Sequence, residues 1–318
     1  MASEWDRIEA LRAIFAGASA SIPGVVVGIG DDAAVLTPGP DPLVWTVDAA
    51  VDGVHFRREL LTFVDLGYRA TMAAASDLAA MGAAPRGLLA ALVLPSDVGD
   101  GDLAELATGQ RAAADALGTA ILGGNLARGS ELSITTTALG AAPRPFLRAG
   151  ALPGDALWAA GPIGLAAAGL ALLLAGRTPV SAAALVAAQS WRRPEAQIAA
   201  GLAARGWAHA AIDVSDGLAQ DVRHLARAGG VDAILDADAI LTPMLRAIAA
   251  ELGEDPLDLA LHGGEDYALI VAAPDGPGLP GFTRIGWIPR TTGAGSVVLR
   301  RDDGTIVAIA PRGFDHFA

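Results

Sequence analysis

Acidic side chains gather in five short clusters that are spread over more than two hundred residues of the sequence. Most of these clusters lie beside glycine or at the end of an apolar run, where the chain is expected to turn. The nine carboxylates are those of Asp31, Asp32, Asp48, Asp52, Asp77, Asp213, Asp216, Glu265 and Asp266. Carboxylates collected at turns are the groups with which proteins hold Mg²⁺ against a polyphosphate. The pattern therefore indicates metal-assisted phosphate chemistry.

Each cluster by itself also has a simpler structural explanation. The adjacent Asp31 and Asp32 are compatible with a solvated turn, and either Ser215 or Asp216 is compatible with the N-cap of a following helix. Asp77 lies among small apolar residues, so it either faces solvent or meets a cation. Only the clusters taken together favour a metal-binding function.

Charge and composition exclude several other kinds of site. The 318 residues carry a formal net charge of -13, which provides no electrostatic footprint for nucleic acid or an anionic membrane. Cysteine is absent and all 22 Lys+Arg residues are arginine, which excludes thiolate sites, Schiff bases and a Walker lysine. The five histidines contain no i,i+4 pair, and no Gly-x-Ser-x-Gly elbow is present. A bound nucleotide is therefore expected to be held by metal ions and backbone groups.

The sequence contains no pattern that indicates export or a membrane span. Its first residues lack a basic segment followed by an apolar one, so the cytoplasm is the expected location. The most apolar stretch, residues 163–175, is shorter than the roughly 20 residues of a spanning helix. We predict that this stretch is a buried or half-buried helix.

Apolar runs alternate with helical patterns, which predicts a mixed α+β chain of the α/β kind with two domains. Prolines and glycines cluster at residues 143–154. Such clusters mark loops, so we place the boundary there, with an N-terminal domain at residues 1–148 and a C-terminal domain at residues 149–318.

The acidic clusters take their positions from these predicted elements. Strands predicted at residues 25–29, 43–47 and 210–213 each run into aspartates, whereas Asp77 falls in a helix predicted at residues 64–81. A glycine pair, Gly123 and Gly124, follows a strand predicted at residues 120–122. We expect this pair to form a turn whose backbone N–H groups face an anion.

The order of the motifs resembles that of the thiamine-monophosphate kinase family. The matching segments are Gly-Asp-Asp-Ala-Ala, Ser-Asp-Leu-Ala-Ala-Met-Gly-Ala, Asp-Val-Ser-Asp-Gly-Leu, Gly-Gly-Glu-Asp-Tyr and Gly-Phe-Asp-His-Phe, and together they cover essentially the whole chain. The resemblance implies a two-domain fold like that of aminoimidazole-ribonucleotide synthetase, with an N-terminal ATP- and metal-binding α/β domain, a second α/β domain and a homodimeric state. It also implies transfer of the γ-phosphoryl group of ATP to thiamine monophosphate, which gives thiamine diphosphate, with several Mg²⁺ ions.

The same resemblance implies a role for individual residues in the matching motifs. The implied metal ligands are Asp32, Thr46, Asp48, Asp77, Asn125, Asp213 and Asp216. The implied ATP contacts are Gly123, Gly124, Asn125, Arg148 and Ser215, and the implied thiamine monophosphate contacts are His55, Glu265 and Phe314. No covalent nucleophile is implied, since the reaction consists of metal-assisted positioning. Little general-base help is needed, because a phosphate oxygen is largely deprotonated at pH 7. Asp31, Asp52 and Asp266 remain as turn, cap or supporting groups.

Three positions depart from the usual residues of the family. Asn125 stands where an aspartate is usual, so one ligand oxygen remains and the charge is lost. Val47 replaces a threonine whose hydroxyl can join metal binding, and Phe314 replaces a tyrosine or tryptophan. We interpret the chain as an active kinase. The alternatives are a thiamine diphosphate- or nucleotide-binding protein without turnover, and another ATP-dependent synthetase of the same fold.

Overall fold

The structure is a computed structural model that describes residues 4–15, 22–29, 33–309 and 312. The chain divides into two compact units, Met1–Leu78 with Ala83–Arg144, and Ala79–Gly82 with Pro145–Ala318. Asp31, Asp32 and Phe314 lie outside the described residues. The domain boundary after residue 148 stays a prediction.

The first unit contains a four-stranded sheet and a separate two-stranded ribbon. The ribbon consists of β1 (Val25–Val27) and β2 (Val35–Leu36). The strands of the sheet are β3 (Leu43–Val51), β4 (Ala84–Leu94), β5 (Ile121–Arg128) and β6 (Ser133–Ala141). They lie in the order β3-β6-β4-β5, with β4 and β5 parallel and the other pairs antiparallel. β3 and β5 are therefore the two edges of the sheet.

The helices of the first unit are α1 (Glu4–Phe15), α2 (Phe63–Ala80) and α3 (Asp100–Ala116). Helices α2 and α3 approach each other closely at Gly67 and Gly109. A Cβ atom on Gly67 would lie 2.0 Å from the carbonyl oxygen of Leu106, and one on Gly109 would lie 1.9 Å from that of Val64. Only glycine leaves room for backbone at this crossing.

The sheet of the first unit has a covered face and an open face. Successive residues of a strand point to opposite faces. On β3, Val44 is buried, whereas Leu43, Trp45 and Val47 are 56%, 69% and 62% exposed. The strand register places Leu89 of β4 on the same side as Val47, and Leu89 is 38% exposed. Leu43, Trp45, Val47 and Leu89 define the open face.

The second unit contains a seven-stranded sheet in the order β13-β12-β9-β11-β7-β10-β8. Its strands are β7 (Asp155–Ala160), β8 (Ala210–Asp213), β9 (Ala233–Asp236), β10 (Leu269–Pro274), β11 (Thr283–Trp287), β12 (Val297–Arg300) and β13 (Ile306–Ala308). Every residue of β7 is buried, because hydrophobic clusters lie on both faces of the sheet. The pairing is antiparallel except between β9 and β12.

The helices of the second unit supply about half of the larger of these two clusters. They are α4 (Leu165–Leu174), α5 (Ala182–Arg192), α6 (Ile198–Ala203), α7 (Leu218–Gly229), α8 (Ala237–Ile240), α9 (Pro243–Leu252) and α10 (Pro256–His262). The buried helix predicted at residues 163–175 is confirmed as α4. In the part of the chain that is described, no helix has both the length and the apolarity needed to cross a membrane.

The structure corrects two local predictions in the first unit. Strand β3 continues to Val51, so Asp48 lies within the strand and does not end it. The predicted turn at Gly123 and Gly124 is wrong, because both residues lie inside β5. A Cβ atom on Gly124 would lie 1.8 Å from the carbonyl oxygen of Ala90, so close strand packing accounts for this glycine. Sequence patterns also missed the short elements β2, α8 and α10.

Candidate functional site

Three oxygen-bearing side chains of the first unit lie together on the covered face of its sheet. Thr46 and Asp48 are two residues apart on β3 and therefore point to the same side. The Thr46 hydroxyl donates a hydrogen bond to the carboxylate of Asp77, which α2 brings to the sheet. Asp48 is exposed, and its Oδ1 accepts the backbone N–H of Ala49 at 2.7 Å. Helix α2 thus brings Asp77 to Thr46, and Asp48 lies on the same side of β3 as that threonine.

Thr136, which the sequence patterns did not indicate, places a buried hydroxyl group beside Asp48. Thr136 of β6 stands directly opposite Asp48 in the strand register and is fully buried. Its Oγ1 has no hydrogen-bond partner among the described residues. A buried polar atom beside carboxylates is the kind of group that a hydrated cation satisfies. The surroundings of Asp48 therefore fit an oxygen-liganded metal ion.

Asn125 does not join this group. The register aligns Asp48 with Thr136 and Ala90, whereas Asn125 of β5 aligns with Ala91 and so lies on the opposite face of the sheet. The edge strands β3 and β5 are separated by three strand spacings, or roughly 14 Å. Asn125 and Asp48 of one chain therefore cannot bind the same ion.

Val47, where the sequence departs from the usual residue of the family, also lies away from Asp48 and Asp77. Val47 belongs to the open face, on the other side of β3 from Thr46 and Asp48. A hydroxyl at position 47 would point away from the Asp48 carboxylate. The loss of that hydroxyl therefore leaves the Thr46, Asp48 and Asp77 group unchanged.

The segment after β3 contains His55 and Asp52. His55 Nδ1 accepts the backbone N–H of Val51 at 3.2 Å, so the neutral imidazole carries its proton on Nε2. Asp52 forms an ion pair with Arg58 at 2.6 Å, and Arg58 also pairs with Asp97 at 2.8 Å. Asp52 is thus held in an ion pair, and His55 is held at the end of β3 through its Nδ1 atom.

In the second unit, residues 213–217 form a turn that we call the acidic turn. Asp213 ends β8 and is only 6% exposed. The predicted N-cap role of Ser215 or Asp216 is wrong, because the N-cap of α7 is Gly217, which makes no side-chain capping bond. Asp221, in the first turn of α7, takes that role through its carboxylate. An acid in a first helical turn is the signal that could have identified it.

The electrostatics of the acidic turn favour a bound cation. Burial raises the pKa of Asp221 to about 8, and the nearby charges of Asp213 and Asp216 act in the same direction. Burial also lowers the pKa of His224 on α7; Arg148 acts in the same direction, whereas Asp216 opposes it. Arg148 and Asp216, predicted for ATP and metal, therefore lie near one histidine that the sequence patterns did not indicate.

Glu265 lies directly against the acidic turn. Residues 263–267 form what we call the glutamate loop. The N–H of Glu265 donates to the carbonyl oxygen of Ser215 at 2.8 Å, and that of Tyr267 donates to Val214 at 2.9 Å. The Glu265 carboxylate accepts the indole N–H of Trp191 at 2.9 Å. Ser215, Asp216 and Glu265 are thus brought together, and Trp191 is a site residue with no local signal in the sequence.

Asp266 holds the glutamate loop to helix α4. Its Oδ2 accepts the N–H of Gly164 at 2.6 Å, and its Oδ1 accepts that of Ala166 at 3.0 Å. These donors are free groups of the helix N-terminus, which a carboxylate stabilises. Of the turn, cap and supporting roles left open for Asp266, these bonds correspond to a cap of α4.

The stability of the protein is expected to fall between about pH 4 and pH 7 because of Asp266. Burial raises the pKa of this carboxyl to about 7, so the folded chain keeps its proton over a range where the unfolded chain has lost it. Its contribution is fully present below about pH 4 and is lost by about pH 7. The difference is on the order of a few kcal/mol. Urea unfolding of the wild type and Asp266→Asn in Mg²⁺-free buffer should show a shallower pH dependence in the variant, and equal slopes would contradict the prediction.

The acidic side chains predicted as magnesium ligands lie in small groups in the described part of the chain. Among residues 4–15, 22–29, 33–309 and 312, no set of three or more His, Cys, Asp or Glu side chains is arranged to hold a metal. Mg²⁺ is commonly bound through one or two carboxylates, waters and substrate phosphates. The two groups, Asp48 with Asp77 and Asp213 with Asp216, fit that kind of ligation.

Comparisons with known proteins agree along the whole chain. The AIR synthase related protein family matches with its N-terminal domain at residues 30–142 and its C-terminal domain at residues 153–277. Thiamine-monophosphate kinase of Rhodopirellula baltica is 33% identical over 97% of this chain and 96% of its own length. That of Escherichia coli K12 is 36% identical over 92% and 93%. A solved complex of AaThiL with AMPPCP and TMP is 29% identical, covers 99% of this chain and 97% of its own, and has a TM-score of 0.81. The fold is thus the two-domain α/β fold expected, and the chain belongs to the thiamine-monophosphate kinase family.

Proposed function

We propose that this protein transfers the γ-phosphoryl group of ATP to the phosphate of thiamine monophosphate, which gives ADP and thiamine diphosphate. Similarity to a thiamine-monophosphate kinase over 97% of the chain carries the proposal. The site has the matching chemistry, since carboxylates are grouped in both units while lysine and cysteine nucleophiles are absent. The cytoplasmic location stays a prediction.

The two acidic groups have one proposed task, which is to neutralise and align two anionic substrates. The proposed ligands of several Mg²⁺ ions are Asp32, Thr46, Asp48, Asp77, Asp213 and Asp216. Magnesium at these positions would screen the phosphates and stabilise the charge that develops during direct in-line transfer. Asn125 is proposed to bind ATP and an ion other than the one at Asp48.

The remaining residues are proposed to bind and orient the substrates. Arg148, Ser215, Gly123 and Gly124 contact ATP, and His55, Glu265 and Phe314 contact thiamine monophosphate. Support comes from the backbone bond between Glu265 and Ser215, which makes a substrate residue and an ATP residue neighbours. A general base is unnecessary, because the attacking phosphate oxygen is already deprotonated. Catalysis then consists of positioning and charge stabilisation.

The test is chromatographic detection of thiamine diphosphate after incubation with ATP, Mg²⁺ and thiamine monophosphate. We expect product that depends on all three. Tight binding of both ligands without product would favour the binding-protein alternative instead. Omission of Mg²⁺ serves as the internal control.

We also propose that the chain forms a homodimer through the open face of the first unit. Three of its large apolar side chains lie on the edge strand β3 and the fourth lies on β4, two strands away, and an exposed patch of this kind commonly marks an interface. Stable interfaces bury about 800 Å² on each partner, and a four-stranded sheet face offers an area of that order. The open face of a second copy carries the same apolar side chains, so the two faces would bury each other's apolar surface.

Trp45→Glu is expected to convert the dimer into a monomer, because it places a carboxylate at the centre of the open face. Sedimentation analysis should show the mass halved. The control is Val180→Glu in the second unit, where an equally apolar side chain is 82% exposed and lies outside the sheet of the first unit. A wild-type monomer, or a Trp45→Glu dimer, would contradict the proposal.

A further inference from the structure

Two buried carboxylates of the second unit have no place among the proposed ligand contacts. Asp221 and Asp266 are each 3% exposed. An acidic side chain is rarely buried to this extent without specific partners. In both cases the partners are backbone N–H groups of segments that carry proposed site residues or pack against them.

Asp221 organises the acidic turn. Its Oδ2 accepts the backbone N–H groups of Ser215, Asp216 and Gly217 at 3.1, 3.1 and 3.2 Å. A turn whose consecutive N–H groups converge on one oxygen has little freedom to change shape. The direction of the Asp216 side chain, and of the Ser215 carbonyl, therefore depends on Asp221.

Asp266 organises the glutamate loop in a different way, through its two bonds to the N-terminus of α4. The residues on either side of it, Glu265 and Tyr267, have φ angles of 58° and 48°. The left-handed region is unfavourable for these residue types and persists only where surrounding contacts impose it. The Asp266 bonds contribute to that constraint, together with the backbone bonds to the acidic turn, so the presentation of Glu265 depends on Asp266.

The glutamate loop depends on both carboxylates, whereas the acidic turn has its own anchor in Asp221. The N–H groups of Glu265 and Tyr267 donate to carbonyl oxygens of the acidic turn. The acidic turn thus supports the glutamate loop, while its own N–H groups are satisfied by Asp221. A disturbance at Asp221 reaches both segments, whereas a disturbance at Asp266 stays in the glutamate loop.

We propose that Asp221 and Asp266 are positioning residues of the kinase, with Asp221 setting the metal-facing turn and the substrate loop and Asp266 setting the substrate loop alone. The proposal rests on the function proposed above. It concerns residues outside the proposed metal and substrate contacts, and it assigns them separate effects on saturation by Mg²⁺ and by thiamine monophosphate.

The test compares steady-state saturation curves of folded Asp221→Ala and Asp266→Ala. For Asp221→Ala, we expect the half-saturating Mg²⁺ concentration and the KM for thiamine monophosphate both to rise by about tenfold or more. For Asp266→Ala, we expect a similar rise in the KM for thiamine monophosphate with Mg²⁺ saturation unchanged. Wild-type saturation in folded Asp221→Ala, or an equal Mg²⁺ defect in Asp266→Ala, would overturn the proposal.

Conservative variants separate positioning from a loss of stability. Asp221→Asn can still present one oxygen to all three N–H groups, so it should recover most of the Mg²⁺ saturation that the alanine variant loses. Asp266→Asn keeps one acceptor and turns its NH₂ towards the other N–H, so it should recover only part of its function. If the alanine variants do not fold, the asparagine pair is compared instead. Asp221→Asn should then stay close to the wild type, whereas Asp266→Asn should raise the KM for thiamine monophosphate with Mg²⁺ saturation unchanged. A wild-type KM in Asp266→Asn, or a Mg²⁺ defect in it larger than that of Asp221→Asn, would overturn the proposal.

A binding measurement keeps the proposal testable apart from turnover. The melting temperature of each variant is measured with thiamine monophosphate alone and with Mg²⁺ plus a non-hydrolysable ATP analogue. In Asp266→Ala, only the rise in melting temperature caused by thiamine monophosphate should be lost. In Asp221→Ala, the rises caused by both ligands should be lost. If the wild type binds both ligands and forms no product, the proposed function fails while these shifts still decide the positioning roles.

Discussion

Asp77→Asn is expected to lower turnover by at least about 100-fold while the protein still unfolds cooperatively. Asparagine is of the same size and can still accept the hydrogen bond of Thr46, so the contact between α2 and β3 is kept. The charge that would bind magnesium is lost. We expect an effect of the same order for Asp48→Ala, since Asp48 lies on the same face of β3 as Thr46.

The measurement is the initial rate of thiamine diphosphate formation over a range of Mg²⁺ concentrations, with thermal unfolding followed by circular dichroism. Asp115→Asn is the matched control, because Asp115 is an acid of the same unit whose exposed carboxylate pairs with Arg111 one helical turn away. Its activity should stay near that of the wild type. Normal turnover of Asp77→Asn at low Mg²⁺ would remove Asp77 from the metal ligands.

Several parts of the site were predictable from the sequence because they depend on local patterns. The acidic turn follows a buried strand, and the Asp77 helix has clear helical periodicity. Local patterns could not predict that Glu265 lies next to the acidic turn. The two segments are about fifty residues apart, and only the resemblance to a family placed them in one site.

The features that escaped prediction depend on long-range pairing. Gly123 and Gly124 have low strand propensity, yet pairing with β4 extends β5 through them, and this also directs Asn125 away from Asp48. Trp191 reaches Glu265 from a helix 74 positions earlier in the chain. No local window of sequence contains either relation, whereas the role of Asp221 was within reach as an acid at the start of a helix.

Gly109→Ala is expected to lower the free energy of unfolding by about 2 kcal/mol or more. Alanine within a helix normally stabilises by up to about 1 kcal/mol relative to glycine. Here the added Cβ would lie 1.9 Å from the carbonyl oxygen of Val64 and 2.9 Å from the backbone nitrogen of Tyr68, so helix α2 must move. Urea unfolding in Mg²⁺-free buffer measures the change.

The control for this variant is Gly101→Ala in the same helix α3, where an added Cβ would have no atom within 4 Å. That substitution should be neutral or stabilising. The function of the enzyme supplies a second readout, because α2 carries Asp77 to its hydrogen bond with Thr46. A displaced α2 would weaken magnesium binding even in molecules that remain folded. Gly109→Ala should therefore need more Mg²⁺ for half-maximal activity at temperatures far below its melting point, and an unchanged requirement would mean that the crossing of α2 and α3 does not position Asp77.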